Sequence, residues 1–142
     1  LKFRPETSFR FPNDLGELTN IREKVRHFLG EDCTDLVKSR IVFCLDEAAT
    51  NVIEHGFPEK KLSLIELKMS ENEEGYLFVI TDEGIPFDPT LKESEDLEKL
   101  YEEGADGGFG LQSIRNIMSL RYQYLSDSQK NQLTLIYPRE TL

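Results

Sequence analysis

Residues 45–57 read LDEAATNVIEHGF. Apolar Leu45, Ala48, Ala49, Val52 and Ile53 recur at helical spacing, and Gly56 with Pro58 just beyond supplies the usual helix stop. Followed backwards, the stripe continues through Val42, Ile41, Val37 and Leu36, so the spacing predicts one long helix from about Thr34 to Gly56. Glu47, Asn51 and His55 stand outside the stripe, at successive i, i+4 steps along its border. Asparagine suits a helix interior poorly, because its side chain competes for backbone hydrogen bonds. On spacing alone this polar line reads equally well as a solvated face, since Asp46 and Glu54 show that charge is tolerated nearby.

Ahead of this helix, KFRPETSFRF mixes aromatic and polar residues around Pro5 and predicts an extended edge segment. Asn13 or Asp14 can then cap a helix carrying Leu15, Leu18, Ile21, Val25, Phe28 and Leu29, which Gly30 ends. Behind the long helix, KLSLIELKMS and GYLFVITD are β-rich runs separated by ENEEG, a hairpin pattern. From Asp88 to Gly107 the chain turns acidic and loses a clear apolar face, predicting a long connection with at most one short helix. DGGFGLQSIRNIMSL, residues 106–120, then opens a glycine-led helix through Leu111, Ile114, Ile117 and Met118. RYQYLSD and NQLTLIYP follow as a second hairpin. Strand, two helices, hairpin, loop, helix and hairpin describe an α+β fold. We expect a two-layer α/β sandwich, its mixed but mostly antiparallel sheet covered on one face by helices.

With 142 residues, 38% of them hydrophobic, and nine phenylalanines, the whole chain, 1–142, is expected to form a single domain. A formal net charge of −10 disfavours direct nucleic-acid binding and an anionic membrane surface, both of which present negative charge. Cys33 and Cys44 fit neither a CxxC nor a disulfide-framework pattern and read as small buried hydrophobes. His27 and His55 have no cysteine cluster near them, so no zinc site is expected. The longest apolar run, IVFCL, is too short to cross a bilayer, and the N-terminus lacks the order of a signal peptide; the expected location is cytoplasmic. The chain starts at Leu1 rather than Met, which leaves room for residues ahead of it.

Two further clusters carry chemistry. TDEGIPFDP follows the best strand, with Asp82, Gly84, Phe87, Asp88 and Pro89. An aspartate and a glycine there make a turn on their own account. A carboxylate at a strand end is also an acceptor for the exocyclic amine of a base, and a missing Cβ at Gly84 lets a ring approach the backbone. The glycines before Leu111 read either as a flexible turn or as bare helix-start N–H groups that seat phosphates.

The three pieces, in this order, resemble the nucleotide-binding boxes of the GHKL superfamily, the Bergerat-fold or histidine-kinase-like ATPases. They are most similar to the small anti-sigma-factor serine/threonine kinases. DEAATNVIEHG is similar to the E-x-x-x-N box, DEGIPFDP to the D-x-G-x-x-F-D-P box and GGFGLQSI to the G-x-G-L box, and the likeness covers nearly the whole chain. The resemblance implies ATP and Mg²⁺ as ligands, with Asn51 holding the metal and Glu47 as catalytic base. It implies that Asp82 meets the adenine amine with Gly84 and Phe87 beside the base. Gly108, Gly110 and Leu111 would meet the phosphates, and an ATP lid would span about 88–107. It also implies a STAS-domain anti-anti-sigma protein as phosphoacceptor, a sigma factor as the sequestered partner, and a homodimer.

Pro86 stands where larger members of the superfamily carry a second glycine, which favours the small-kinase branch. Asn131 and Gln132 stand where a Gly-Thr pair is expected before the last strand, so the contact assigned to that threonine is open and neither residue is taken as a site. His55 either shapes the site or is a histidine suited to a helix C-terminus. The competing reading is a nucleotide-fold module that regulates a partner by sequestration without phosphotransfer.

Overall fold

The computed structural model of the chain describes residues 2–88 and 108–139, with 108–112 described by backbone alone. Strand β1 (Thr7–Pro12) leads through a 3-10 turn (Leu15–Glu17) to helix α1 (Leu18–Leu29). Asp14 starts the turn, its Oδ1 accepting the Gly16 N–H at 3.1 Å, and Gly30 ends α1 at φ 75°, a conformation that favours glycine. Helix α2 (Asp35–His55) begins under Thr34, whose Oγ1 accepts the Val37 N–H at 3.2 Å. Strands β2 (Leu64–Asn72) and β3 (Gly75–Asp82) form the first hairpin. Helix α3 (Gly108–Ile117) precedes the second, β4 (Ser119–Leu125) and β5 (Lys130–Pro138).

The element order follows the sequence reading, with two differences in detail. The first hairpin loop is two residues, not five, because Asn72 and Gly75 already pair. Gly75 is required there: a Cβ would lie 2.0 Å from the Tyr137 carbonyl oxygen. Leu36 is 60% exposed rather than part of the apolar stripe. The buried line of α2 runs through Val37, Ile41, Leu45, Ala48 and Val52, and Leu36 sits one residue out of phase with it.

The sheet order is β1-β2-β3-β5-β4, and each of its ladders is antiparallel, so the described sheet is antiparallel throughout rather than mixed. β1 lies at an edge, which is where its terminal Pro12 is tolerated. Alternate residues face the helices: Ile65, Leu67 and Met69 on β2, Tyr76, Phe78 and Ile80 on β3, Leu133, Leu135 and Tyr137 on β5. They join Ile21, Val25, Phe28, Ile41 and Ala48 in one buried cluster, where Phe28 meets Tyr76 and Phe78 edge-on with ring centroids 6.3 and 6.1 Å away. Burying a side chain such as Phe78 contributes about 1.5–3 kcal/mol. Cys33 and Cys44 are buried free thiols, and burial pushes the Cys44 thiol up to about 12.

Near the first hairpin turn, Glu71 is held by both ends of the described chain. Its Oε1 accepts the Arg4 backbone N–H at 2.9 Å and Arg4 Nη1 at 3.2 Å, and its Oε2 accepts Arg139 Nη2 at 3.0 Å. Arg4 also donates to the Leu29 carbonyl at 2.6 Å and stacks over Tyr76 at 5.3 Å.

The expected connection over about 88–107 lies outside the described residues from 89 onward. Among the described residues, no helix is long and apolar enough to cross a membrane.

Candidate functional site

The C-terminal ends of α2 and β3 meet at the opposite end of the sheet from Glu71. Two glycines make the meeting possible. The Gly56 carbonyl accepts the Ile85 N–H at 2.9 Å, and a Cβ on Gly84 would lie 2.4 Å from that same oxygen. The sequence reading expects the bare backbone of Gly84 to admit a ring; in the structure, the close approach is that of the helix end.

Asp82 continues the inward-facing series Tyr76, Phe78, Ile80 and is only 4% exposed. Its Oδ1 accepts the Gly84 N–H at 2.8 Å and Asn131 Nδ2 at 3.0 Å, whereas Oδ2 has no hydrogen-bond partner among the described residues. Burial raises its pKa above the ordinary aspartate range, partly offset by these two donors. Asn51, on α2, is 5% exposed, and its amide has no hydrogen-bond partner among the described residues. Its amide is thus open to a ligand's polar groups from within the cavity it lines.

Asn51, Asp82, Asn131 and Tyr122 line one cavity, and Val52, Ile85, Phe87 and Leu133 supply its apolar wall. The Phe87 ring stacks on exposed His55 at 5.6 Å between centroids, so His55 flanks the cavity rather than lining it.

Glu47 lies one helical turn before Asn51 and is not among the residues lining this cavity. Its sequence neighbour Asp46 is tied to α1 by two 2.9 Å bonds from Arg22, while Glu47 has no hydrogen bond or ion pair among the described residues. Burial, then the charges of Asp46 and Glu54, push its pKa up. A half-buried, unpartnered carboxylate of raised pKa has the properties of a general base.

Gly108, Gly110 and Leu111 fall in the first turn of α3, so the glycines do open a helix, one whose Ile114 is buried in the core. The structure therefore brings Asn51, Asp82 and Phe87 into one cavity, with Gly84 behind Asp82. It leaves Glu47 one turn along α2 and describes Gly108, Gly110 and Leu111 only as backbone.

Sequence reasoning passed over Asn131, which is 5% exposed and makes more side-chain hydrogen bonds than Asp82. Its signal was present. Asn131 is in phase with inward-facing Leu133, Leu135 and Tyr137, so strand alternation puts a polar amide on the core face.

These donors suit a nucleotide and an oxygen-preferring cation. The cavity offers a carboxylate oxygen between apolar walls and an amide oxygen, both without partners among the described residues, near a helix that starts on glycines. Comparison with known proteins agrees: residues 11–137 match the histidine kinase-like ATPase domain. The chain is also 31% identical over 84 residues to the serine/threonine-protein kinase BtrW of Bordetella bronchiseptica (strain ATCC BAA-588 / NCTC 13252 / RB50). That match covers 58% of this chain and 59% of the relative, less than two thirds of the relative's length.

Proposed function

Because the chain belongs to the family of histidine kinase-like ATPase domains, we propose that it is an ATP-dependent protein serine/threonine kinase. In this reading it works in the cytoplasm as an anti-sigma factor, phosphorylating a serine of a STAS-domain antagonist and sequestering a sigma factor when the antagonist is modified. The observation that carries the reading is Asn51: a buried amide lining the cavity of Asp82, one turn from the Glu47 carboxylate on the same helix, both without a hydrogen-bond partner among the described residues. Similarity to a serine/threonine-protein kinase supports it.

In this site Asp82 Oδ2 accepts the exocyclic amine of adenine, and Val52, Ile85, Phe87 and Leu133 exclude water from the ring. The backbone at Gly108 and Gly110 donates N–H groups to the phosphates. Asn51 would hold Mg²⁺ through its amide oxygen; when bound, the ion neutralises charge on the phosphates and orients them. Glu47 takes the proton of the serine hydroxyl as that oxygen attacks the γ-phosphoryl group, and the raised pKa makes it a stronger base.

The test is calorimetric titration of ATP and ADP, with and without Mg²⁺, into the protein and into Asn51→Ala. Magnesium-dependent ATP binding that Asn51→Ala weakens supports the reading. A folded wild-type protein that binds no nucleotide sinks it. One observation favours a second reading, sequestration without transfer: the Gly-Thr expected before the last strand is Asn131-Gln132. Tight antagonist binding under Mg·ATP with no phosphate transferred would establish that alternative.

A further inference from the structure

Asn131 uses all of its polar capacity inside the protein. Its Nδ2 donates to Asp82 Oδ1 at 3.0 Å, to the Ile85 carbonyl at 2.9 Å and to the Gly84 carbonyl at 3.2 Å. Its Oδ1 accepts the Phe87 N–H at 3.3 Å and the Tyr122 hydroxyl. One buried side chain thus ties the end of β3, the turn 84–87 and edge strand β4 to β5, where Asn131 stands directly opposite Asp82.

The consequence for Asp82 is specific. A carboxylate has two equivalent oxygens and turns readily about its last torsion. Here the Gly84 N–H and Asn131 Nδ2 both bind Oδ1, so Oδ2 is the oxygen left for the cavity. A single donor at Gly84 would leave the carboxylate plane free to pivot about that bond. An aspartate at position 131 would set like charges side by side, and an alanine would strand the Gly84 and Ile85 carbonyls.

We infer that Asn131 is a positioning residue that sets the base selectivity of the site. It holds Asp82 with a bare acceptor oxygen toward the cavity, so that a purine bearing an amine at C6 is taken and one bearing a carbonyl there is refused. This rests on the nucleotide reading above and adds to it a residue that acts through Asp82 rather than by touching the ligand.

The experiment compares ATP with ITP, which differs from it by a carbonyl in place of the amine, in calorimetric titrations of the full chain. The unmodified protein is expected to favour ATP by at least about tenfold, the range of one hydrogen bond matched or unmatched. In Asn131→Ala the preference falls to within about threefold while far-ultraviolet circular dichroism stays native. Asn131→Thr keeps one donor for Asp82 and restores part of the preference. A folded Asn131→Ala whose melting temperature drops but whose ATP/ITP ratio stands would show a merely structural residue and overturn the inference. Should Asn131→Ala not fold, Tyr122→Phe removes the hydroxyl that orients the amide, and its ratio is expected to fall about two- to threefold; an unchanged ratio again overturns the inference. A wild-type protein that binds neither nucleotide overturns the nucleotide reading and this one with it, whereas ATP binding with an unmoved ratio removes this one alone.

Discussion

Glu71 and Asp82 are buried carboxylates at opposite ends of one β-hairpin, and the protein treats them in opposite ways. The Glu71 side chain, 7% exposed, is met by two guanidinium groups and a backbone N–H, and these hold its pKa below the ordinary glutamate range despite burial. Among the described residues Asp82 meets only neutral donors, on one oxygen, and burial leaves its pKa raised. A carboxylate whose charge is matched on both oxygens locks chain segments together. Among the described residues, Asp82 is matched on one oxygen only and shares a cavity with the Asn51 amide, which leaves an acceptor atom for a ligand. The contrast separates a carboxylate that ties distant chain segments together from one that keeps an acceptor oxygen beside a cavity.

The largest expected effect tests the unpartnered side. Glu47→Gln should slow phosphotransfer to a serine acceptor by about 10²–10⁴-fold while ATP affinity holds, measured with radiolabelled ATP. Wild-type transfer would remove Glu47 from the chemistry. Next, Asp82→Asn turns the free acceptor oxygen into a donor and should weaken ATP binding by about 10–100-fold in calorimetry. Because the isosteric amide oxygen still accepts both hydrogen bonds, folding stability should change by less than about 1 kcal/mol. Glu71→Gln should do the reverse, lowering stability in urea by about 2–3 kcal/mol and leaving ATP affinity intact. If both variants lost stability equally, the two ends would not differ in kind.

Acid titration gives a smaller effect with opposite signs at the two ends. As pH falls from neutrality, Asp82 and Glu47, whose pKa values are raised on folding, bind protons more readily in the folded state, so stability holds or rises. Glu71 is depressed on folding; its contribution is present above the unfolded glutamate pKa and is lost as pH falls through the folded one. Urea melts across this range should show Asp82→Asn flattening the first limb and Glu71→Gln the second. A profile unmoved by either substitution would contradict the assigned charges.

Much of this was readable in advance. Thr34 and Gly56 bracketed α2, and TDEGIPFDP marked the end of β3, because caps, turns and periodicity are local properties of a few residues. Asn51 and Asp82 were candidates through their likeness to the E-x-x-x-N and D-x-G-x-x-F-D-P boxes, since spacing alone read Asn51 equally as a solvated face and Asp82 as a turn. Asn131 was passed over because its importance lies in partners 44 to 49 residues away and in Tyr122 across the second hairpin. For Gly84, only the packed α2 end shows that the Gly56 carbonyl oxygen lies where a Cβ would be.

By itself the sequence determined the helices and strands, the two hairpins, and which face of each strand is apolar, because the periods of 3.6 and 2 are written in neighbouring residues. Only the tertiary structure decided that β5 enters between β3 and β4, setting Asn131 opposite Asp82, and that Arg4 reaches Glu71 across 67 residues. An apolar face states that a strand must be covered and leaves open which strand lies beside it. That choice belongs to the summed packing of the core, which no single stretch of sequence contains.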